Sequence, residues 1–423
     1  MWKTIRKFGL EYCDLPTMIW NVSSMLRVLN LNIDPGNTKP IPTTYYIITA
    51  IVTASYFYVY LVSMVWFVFW RCRETGDLTA GMIVLSLGIT SEIGTTKLMF
   101  MMIFRNKLRE IVELYLECDS HVNPDSRFLH NMMKTLRHVK KRGMIFWLVI
   151  IGNGVVYIVK PAIQPGKHLM EDVFTLYGLE PSTEWPNYEI TFVLMALGVV
   201  QTVYLPANIT AFIIIIIGYS EAQMLALSEE VLNIWNDGLH HLNDHVIIDA
   251  CADSNDQLTS LEEIISANRN NYDRINEFIK IRLREIIKVH MTNINLVQQM
   301  EQVLRGAIAV EFGLLIIGLI VELLGGLENT YMEVPFALMQ VAMDCLTGQR
   351  LMDASIIFEK SVYACKWENF NVENMRTVLL MSLISQKTMK LSAGGVTMLS
   401  FSSLMMVIRS IYSAYTALRP TMS

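Results

Sequence analysis

The segment PIPTTYYIITAIVTASYFYVYLVSMVWFVFW, residues 40–70, runs for 31 residues without a charge, bounded by Lys39 and Arg71. A second run of the same length, Ile190 to Ser220, lies between Glu189 and Glu221. Core helices of soluble domains do not need such lengths, whereas a bilayer crossing needs about 20 apolar residues. Composition agrees, with 52% apolar and 17% charged residues in 423 and a mean hydropathy of +0.36. These values, with a net charge of -5, argue against a secreted disulfide scaffold, a disordered regulator and a nucleic-acid binder.

Working outward, further spans are expected at Leu78 to Phe104, Gly143 to Val159, Gly306 to Leu327, Val334 to roughly Leu351 and Leu391 to Leu418, which makes seven in an all-α membrane protein. The pair within 306–351 reads as marginal, because Glu311, Glu322, Glu333 and Asp344 break it into short charge-free windows. Gly325, Gly326 and the polar stretch Glu328 to Glu333 join the two as a helical hairpin. Counting loops alternately, one set (1–42, 105–142, 221–306, 350–390) holds 27 of the 34 basic residues and the other only 5. The positive-inside rule then places the N-terminus in the cytosol and the C-terminus outside. The first span acts as an uncleaved insertion signal, and Trp2, Ile5, Phe8 and Tyr12 read as an amphipathic helix on the inner membrane face.

This orientation opposes that of rhodopsin-like receptors, and no catalytic or metal site is expected. The eight histidines fall in loops, and within the i, i+4 pair His241 and His245 the residue after His241 is Leu242, where a zincin would need glutamate. No phosphate-cradling loop, nucleophile elbow or cofactor motif is present, so the chain does not read as an enzyme. From Leu258 to Arg305 one face carries Ile275, Phe278, Ile279, Leu283 and Ile286, with Arg282 intruding. This helix is read as a subunit interface, a self-packed hairpin being the alternative. Inside the spans, Glu92 and Lys97 sit about 140° apart around their helix and so look to neighbouring helices for partners. Glu311, Asp344 and Arg409 are read in the same way, as ion-paired or hydrogen-bonded sites ahead of gating roles.

The string SQKTMKLSAGGVTMLSFSSLMMVIRSIYSAYTALRP, residues 385–420, resembles the C-terminal signature of insect odorant receptors. It has the Ser-Gln-Lys segment, the Leu-x-Ala-Gly turn, the Leu-Ser start of the last span, a basic residue near its middle and the Tyr-Ser-x-Tyr-x-x-Leu end. FEKSVYACKWENF, residues 358–370, resembles the segment preceding it, while LYGLEPSTEWPNYE, residues 176–189, and the terminus are similar to the moth sex-pheromone receptor group. The resemblance implies the ligand-tuning subunit of an odorant-gated cation channel, a hetero-oligomer, tetrameric in the family, with the olfactory co-receptor. It also implies residence in the dendrite plasma membrane of olfactory sensory neurons. A gustatory-type ligand-gated channel, or a G-protein-independent seven-span receptor of another class, is the nearest other reading.

The chain then divides into a cytosolic segment (1–42), spans one to four with outer loops and the ligand pocket (43–220), a cytosolic helical loop (221–306), spans five and six (307–352), a cytosolic anchor (353–390) and the pore-lining span with its tail (391–423). A long volatile with one polar head, such as an alcohol, aldehyde or acetate, needs an apolar, partly aromatic cavity. The outer halves of the spans offer Met82, Asn153, Tyr157, Phe192, Met195, Ala196, Val199, Met339, Gln340 and Met343. The 27 methionines suit an adaptable pocket, although each one taken singly is more often core. The family's gate implies Tyr415, Ala417, Leu418 and Thr421 near the outer end of the last helix. Two outer loops, 160–189 and 322–333, hold eight acidic and two basic residues, a balance that favours cations at the mouth.

Overall fold

The computed structural model describes residues 6–252, 261–326 and 330–421, and the side chains of these except 243–252, 261–268 and 421. Helices dominate. In chain order they are α1 (Leu15–Leu26), α2 (Thr43–Thr75), α3 (Leu78–Ile103), α4 (Arg105–Ser120), α5 (Arg127–Ile163), α6 (Asn187–Ala252), α7 (Leu261–Gly325), α8 (Glu333–Tyr363), α9 (Val372–Ser385) and α10 (Phe401–Leu418). By length and composition α2, α3, α5, α6 and α7 can each cross a membrane. The hairpin of α7 and α8 forms as expected, turning at Gly326 with φ 93°. The expectation that α7 is marginal is not met, because its span is the most apolar of the five. Leucine and isoleucine crowd around Glu311 and Glu322, which point inward and are fully buried.

The seventh span begins later than Leu391. Gly394 (φ 64°) and Gly395 (φ 78°) turn a short hairpin, β1 (Ser392–Ala393) against β2 (Thr397–Met398), with Ser392 opposite Met398. Positive φ at two successive positions suits glycine and ends any helix there. The hairpin is pinned to α7, since the Gly394 amide donates to the Arg305 carbonyl at 2.9 Å. Ser400 then caps α10, accepting from the Ser403 amide at 3.2 Å.

The N-terminal segment packs on its own bundle. Asp14 caps α1 by accepting from the Thr17 amide at 3.0 Å, and Leu15, Met18, Ile19 and Leu26 are buried. Lys140 of α5 donates to the carbonyls of Lys7 (3.0 Å) and Gly9 (2.7 Å) and to that of Tyr12. Trp2 and Ile5 lie outside the described residues, residues 7–11 are turns and a bend, and residues 12 and 13 have no regular structure. No amphipathic helix continues through Phe8 and Tyr12. Phe8 instead sits 6.0 Å from the Trp20 ring.

The apolar face of the long helix beyond the spans is covered by the chain itself. Ile275, Ile279, Leu283 and Ile286 are buried against the far half of α6, where Gly238 lets Ile275 approach. Arg282 intrudes on this face because it has partners there. It pairs with the buried Glu230 at 2.6 Å and with Glu285 at 2.6 Å, and Glu230 also receives Arg127 at 2.9 Å. The self-packed alternative therefore holds. An apolar strip left uncovered lies on α9, where Val372, Leu379, Leu380 and Leu383 are each more than half exposed, while Val378 and Met381 face inward.

Candidate functional site

At the end of the bundle that carries loop 164–186, five segments leave a small cavity between them. Tyr60 of α2, Leu87 and Thr90 of α3, Asn153, Gly154 and Tyr157 of α5, and Val199, Thr202 and Val203 of α6 form most of its wall, and Met332, Glu333 and Phe336 close it from α8. The room amounts to about 50 Å³, space for a few ordered waters and not for a long-chain molecule. A ligand of that kind has to open the cavity as it enters.

Packing around the cavity explains why it can open. Close helix approaches flank it, because a Cβ on Gly154 would meet Val203 at 2.8 Å and one on Gly198 would meet the Tyr60 ring at 2.9 Å. Toward loop 164–186 the wall changes character. Met195 packs with Tyr56, Tyr60, Met64, Phe67, Leu169, Met170 and Phe174, and Phe192 and Ala196 border the same cluster. The loop is tied down by aromatic contacts, Trp66 with Tyr177 at 5.3 Å and Phe67 with Phe174 at 5.6 Å. Further ties come from the Tyr188 hydroxyl, which donates to the His168 carbonyl at 3.1 Å, and from the Tyr58 hydroxyl, which donates to that of Tyr177. Flexible thioethers and a loop held by rings give a cover that can shift without breaking a hydrogen-bonded ladder. Within that loop, burial raises the Glu171 carboxyl to about 7, with Asp172 adding to the rise and Lys160 opposing it.

Asn153, Tyr157 and Val199 are thus brought to one cavity. Met343 and Met339 stand beside it, in the cluster built on Val199, Val203 and Phe336. Gln340 is fully buried, with neither amide atom partnered among the described residues. Met82 is half-buried and belongs to neither cluster nor wall. Sequence reasoning missed Tyr60, Thr90, Thr202 and Glu333. The available signal was polarity: two threonines and a tyrosine within apolar spans, and an ionisable residue at the first position of one.

Deeper in the bundle, Lys97 of α3 meets Glu311 of α7 at 2.7 Å and Asp344 of α8 at 3.1 Å, and donates to the Thr210 hydroxyl of α6 at 3.0 Å. All three charged groups are at most 2% exposed. One ammonium thereby ties four helices together, which makes these residues structural ion pairs. Arg409, by contrast, is exposed on α10.

The last helix rests on α7 and α8 through few buried residues, Ser403 and Ile411 among them. Phe401, Met405, Met406 and Tyr412 are exposed. Tyr415 is half-buried with the Arg419 guanidinium 6.0 Å from its ring centre, Ala417 and Leu418 are exposed, and the Thr421 side chain lies outside the described residues.

Comparison with known proteins follows this geometry. A family model described as 7tm Odorant receptor matches residues 77–412. No curated protein sequence matches the chain. Among solved structures, the insect olfactory receptor OR5 from Machilis hrabei superposes with a TM-score of 0.72 at 10% identity, covering 95% of this chain and 97% of that one. The same receptor in complex with eugenol gives 0.71 at 9% identity over the same shares. Likeness at such identity speaks for the fold, and that fold is all-α with seven transmembrane helices. The family match spans most of the sequence, and the chain therefore belongs to the 7tm odorant receptor family, multi-pass membrane receptors and not enzymes.

Proposed function

We propose that this odorant receptor is the ligand-tuning subunit of a cation channel, opened by a long-chain volatile that enters the cavity between α2, α3, α5, α6 and α8. The cavity carries the reading: an apolar and aromatic wall with a few polar groups, at the loop-covered end of the spans. The Machilis hrabei receptor, alike in fold, is known in complex with eugenol, a small volatile. Similarity of the terminus and of residues 176–189 to moth pheromone receptors favours a slender molecule with one polar head.

Assembly with the olfactory co-receptor is part of the proposal, and the uncovered apolar faces of α9 and α10 support it. A single chain leaves Leu379, Leu380 and Leu383 of α9 and Met406 and Tyr412 of α10 exposed, and an uncovered apolar face outside the bilayer, as on α9, marks an interaction surface. In this reading the N-terminus is cytosolic, α9 anchors subunits on the cytosolic side, and α10 lines the pore with Tyr415, Ala417, Leu418 and Thr421 toward its outer mouth. Recording from cells that express the chain with and without the co-receptor tests it. Ligand-evoked, cation-selective current is expected only with both, and robust current from the chain alone points instead to a self-sufficient taste-type channel.

A further inference from the structure

We propose that Glu333 is the head-group residue of this cavity and that it selects volatiles ending in a hydroxyl over those ending in an aldehyde, an ester or an ether. The inference rests on the cavity assignment above and adds the ligand class.

Ser86 has two acceptors within reach of one hydroxyl hydrogen. Its hydroxyl oxygen lies 2.7 Å from the Ile83 carbonyl oxygen and 3.0 Å from Oε2 of Glu333. A serine carries one hydrogen, and a backbone carbonyl can only accept. When the shorter contact takes that hydrogen, the contact with Oε2 is satisfied only by a hydrogen from Glu333. The glutamic acid then donates to Ser86, and its remaining oxygen, Oε1, is an acceptor. Glu333 is 8% exposed and forms part of the cavity wall, and no described residue is recorded as donating to Oε1.

Other polar groups in the wall are mostly committed. The Thr90 hydrogen goes by the same rule to the Ser86 carbonyl at 2.8 Å, the Leu87 carbonyl standing at 3.2 Å, Thr202 donates to the Gly198 carbonyl at 3.0 Å, and the Asn153 amide donates to that of Met332 at 3.0 Å. Tyr157, in the same wall, carries a phenol hydroxyl that can donate. The capacity left in the wall is thus an acceptor on Glu333 and a phenol donor, from Tyr157 or Tyr60. A ligand hydroxyl answers both, donating to Oε1 and accepting from the phenol. A carbonyl or ether oxygen answers only the phenol and leaves a buried carboxyl oxygen bare, a mismatch that sites built to bind a hydroxyl reject strongly.

The test uses the receptor with its co-receptor and a matched straight-chain series: an alcohol, its methyl ether, the aldehyde, the acetate and the amine. The alcohol is expected to activate at concentrations at least about tenfold lower than the ether or the aldehyde. Comparing alcohol with ether needs no mutation and so survives any folding defect of a variant. Glu333→Met should bring alcohol and ether within about threefold of each other, while Glu333→Gln, which keeps an acceptor oxygen and a donor to Ser86, should preserve the alcohol preference. An ether or aldehyde as potent as the alcohol, an amine preferred and lost in Glu333→Gln, or an equal shift for every ligand in Glu333→Met overturns the proposal. Val199→Phe, which fills the cavity, separates the two levels. Loss of all responses there with the alcohol preference unchanged in Glu333→Met sinks only the head-group assignment, whereas unchanged responses to every ligand remove the cavity reading and this proposal with it.

Discussion

Replacing Lys97 by methionine should destabilise the bundle more than almost any other single polar change. The ammonium lies 2.7 Å from Glu311 and 3.1 Å from Asp344, in a setting where the three groups are at most 2% exposed. Methionine fills similar volume, so packing loss is small and electrostatics decides. Two carboxyl groups then face each other without a cation, and removing one partner of a buried ionic group costs about 3–5 kcal/mol. The exposed pair Arg6 and Glu11, 67% and 69% exposed at 3.4 Å, sets the opposite limit, and Arg6→Ala should cost under about 1 kcal/mol. Because the penalty comes from uncompensated charge, the triple change Lys97→Met, Glu311→Gln and Asp344→Asn should be more stable than Lys97→Met alone. Thermal melting of detergent-solubilised receptor, followed by fluorescence-detected size exclusion, reads all three variants in parallel. Equal melting of Lys97→Met and Arg6→Ala, or a triple variant no better than the single, would refute the reasoning.

Three further outcomes follow from the same structure. Gly218→Val should cost about 1–3 kcal/mol, since a Cβ there would stand 2.3 Å from Val139, whereas Gly152→Ala, with nothing within 4 Å, should be neutral or mildly stabilising in the same melting assay. Glu171, raised from 4.5 to about 7 by burial, makes the packed loop bind an extra proton between those values. Its contribution is therefore present below about pH 4.5 and lost as pH rises through about 7, so wild type should lose about 1.4 kcal/mol between pH 6 and 8.5. Glu171→Gln should abolish that pH dependence, read by hydrogen exchange of residues 164–186. At the last helix, cysteine placed at Ala417 or Leu418 should give ligand-dependent block by an external thiol reagent at one position or more, and indifference at both removes the gate from this stretch.

How much of this was legible in the sequence depends on the range of the interaction. Charge-free runs located α2, α5 and α6, and a mostly apolar stretch located α3, because a span is a local property of consecutive residues. The start of α10 was misplaced because Ser392, Gly394 and Gly395 are as uncharged as any span, and only their positive φ angles separate a turn from a helix. Face periodicity marked Ile275, Ile279, Leu283 and Ile286 as buried without saying against what, since periodicity fixes a direction and not a neighbour. Lys97 is the sharper case. Its partners lie 214 and 247 residues further along the chain, so its burial cost announced that partners exist, while their identity waited for the fold.

The cavity shows the same division at closer range. Asn153, Tyr157 and Val199 were found by asking which residues stand in the loop-side half of a span, a question of height alone. Tyr60 and Glu333 also meet that test, but a tyrosine among the many aromatics of α2 and a glutamate at a helix start each have an ordinary explanation when read singly. What distinguishes Glu333 is a contact with Ser86, itself 2.7 Å from the Ile83 carbonyl. Two acceptors around one hydroxyl hydrogen turn an acidic residue at a span end into an acid that donates on one side and accepts on the other. That inference needs three atoms from two distant segments, so it belongs to the fold and not to the sequence. It predicts that head-group preference in this receptor follows the state of one carboxyl group more closely than the size or number of the methionines around it.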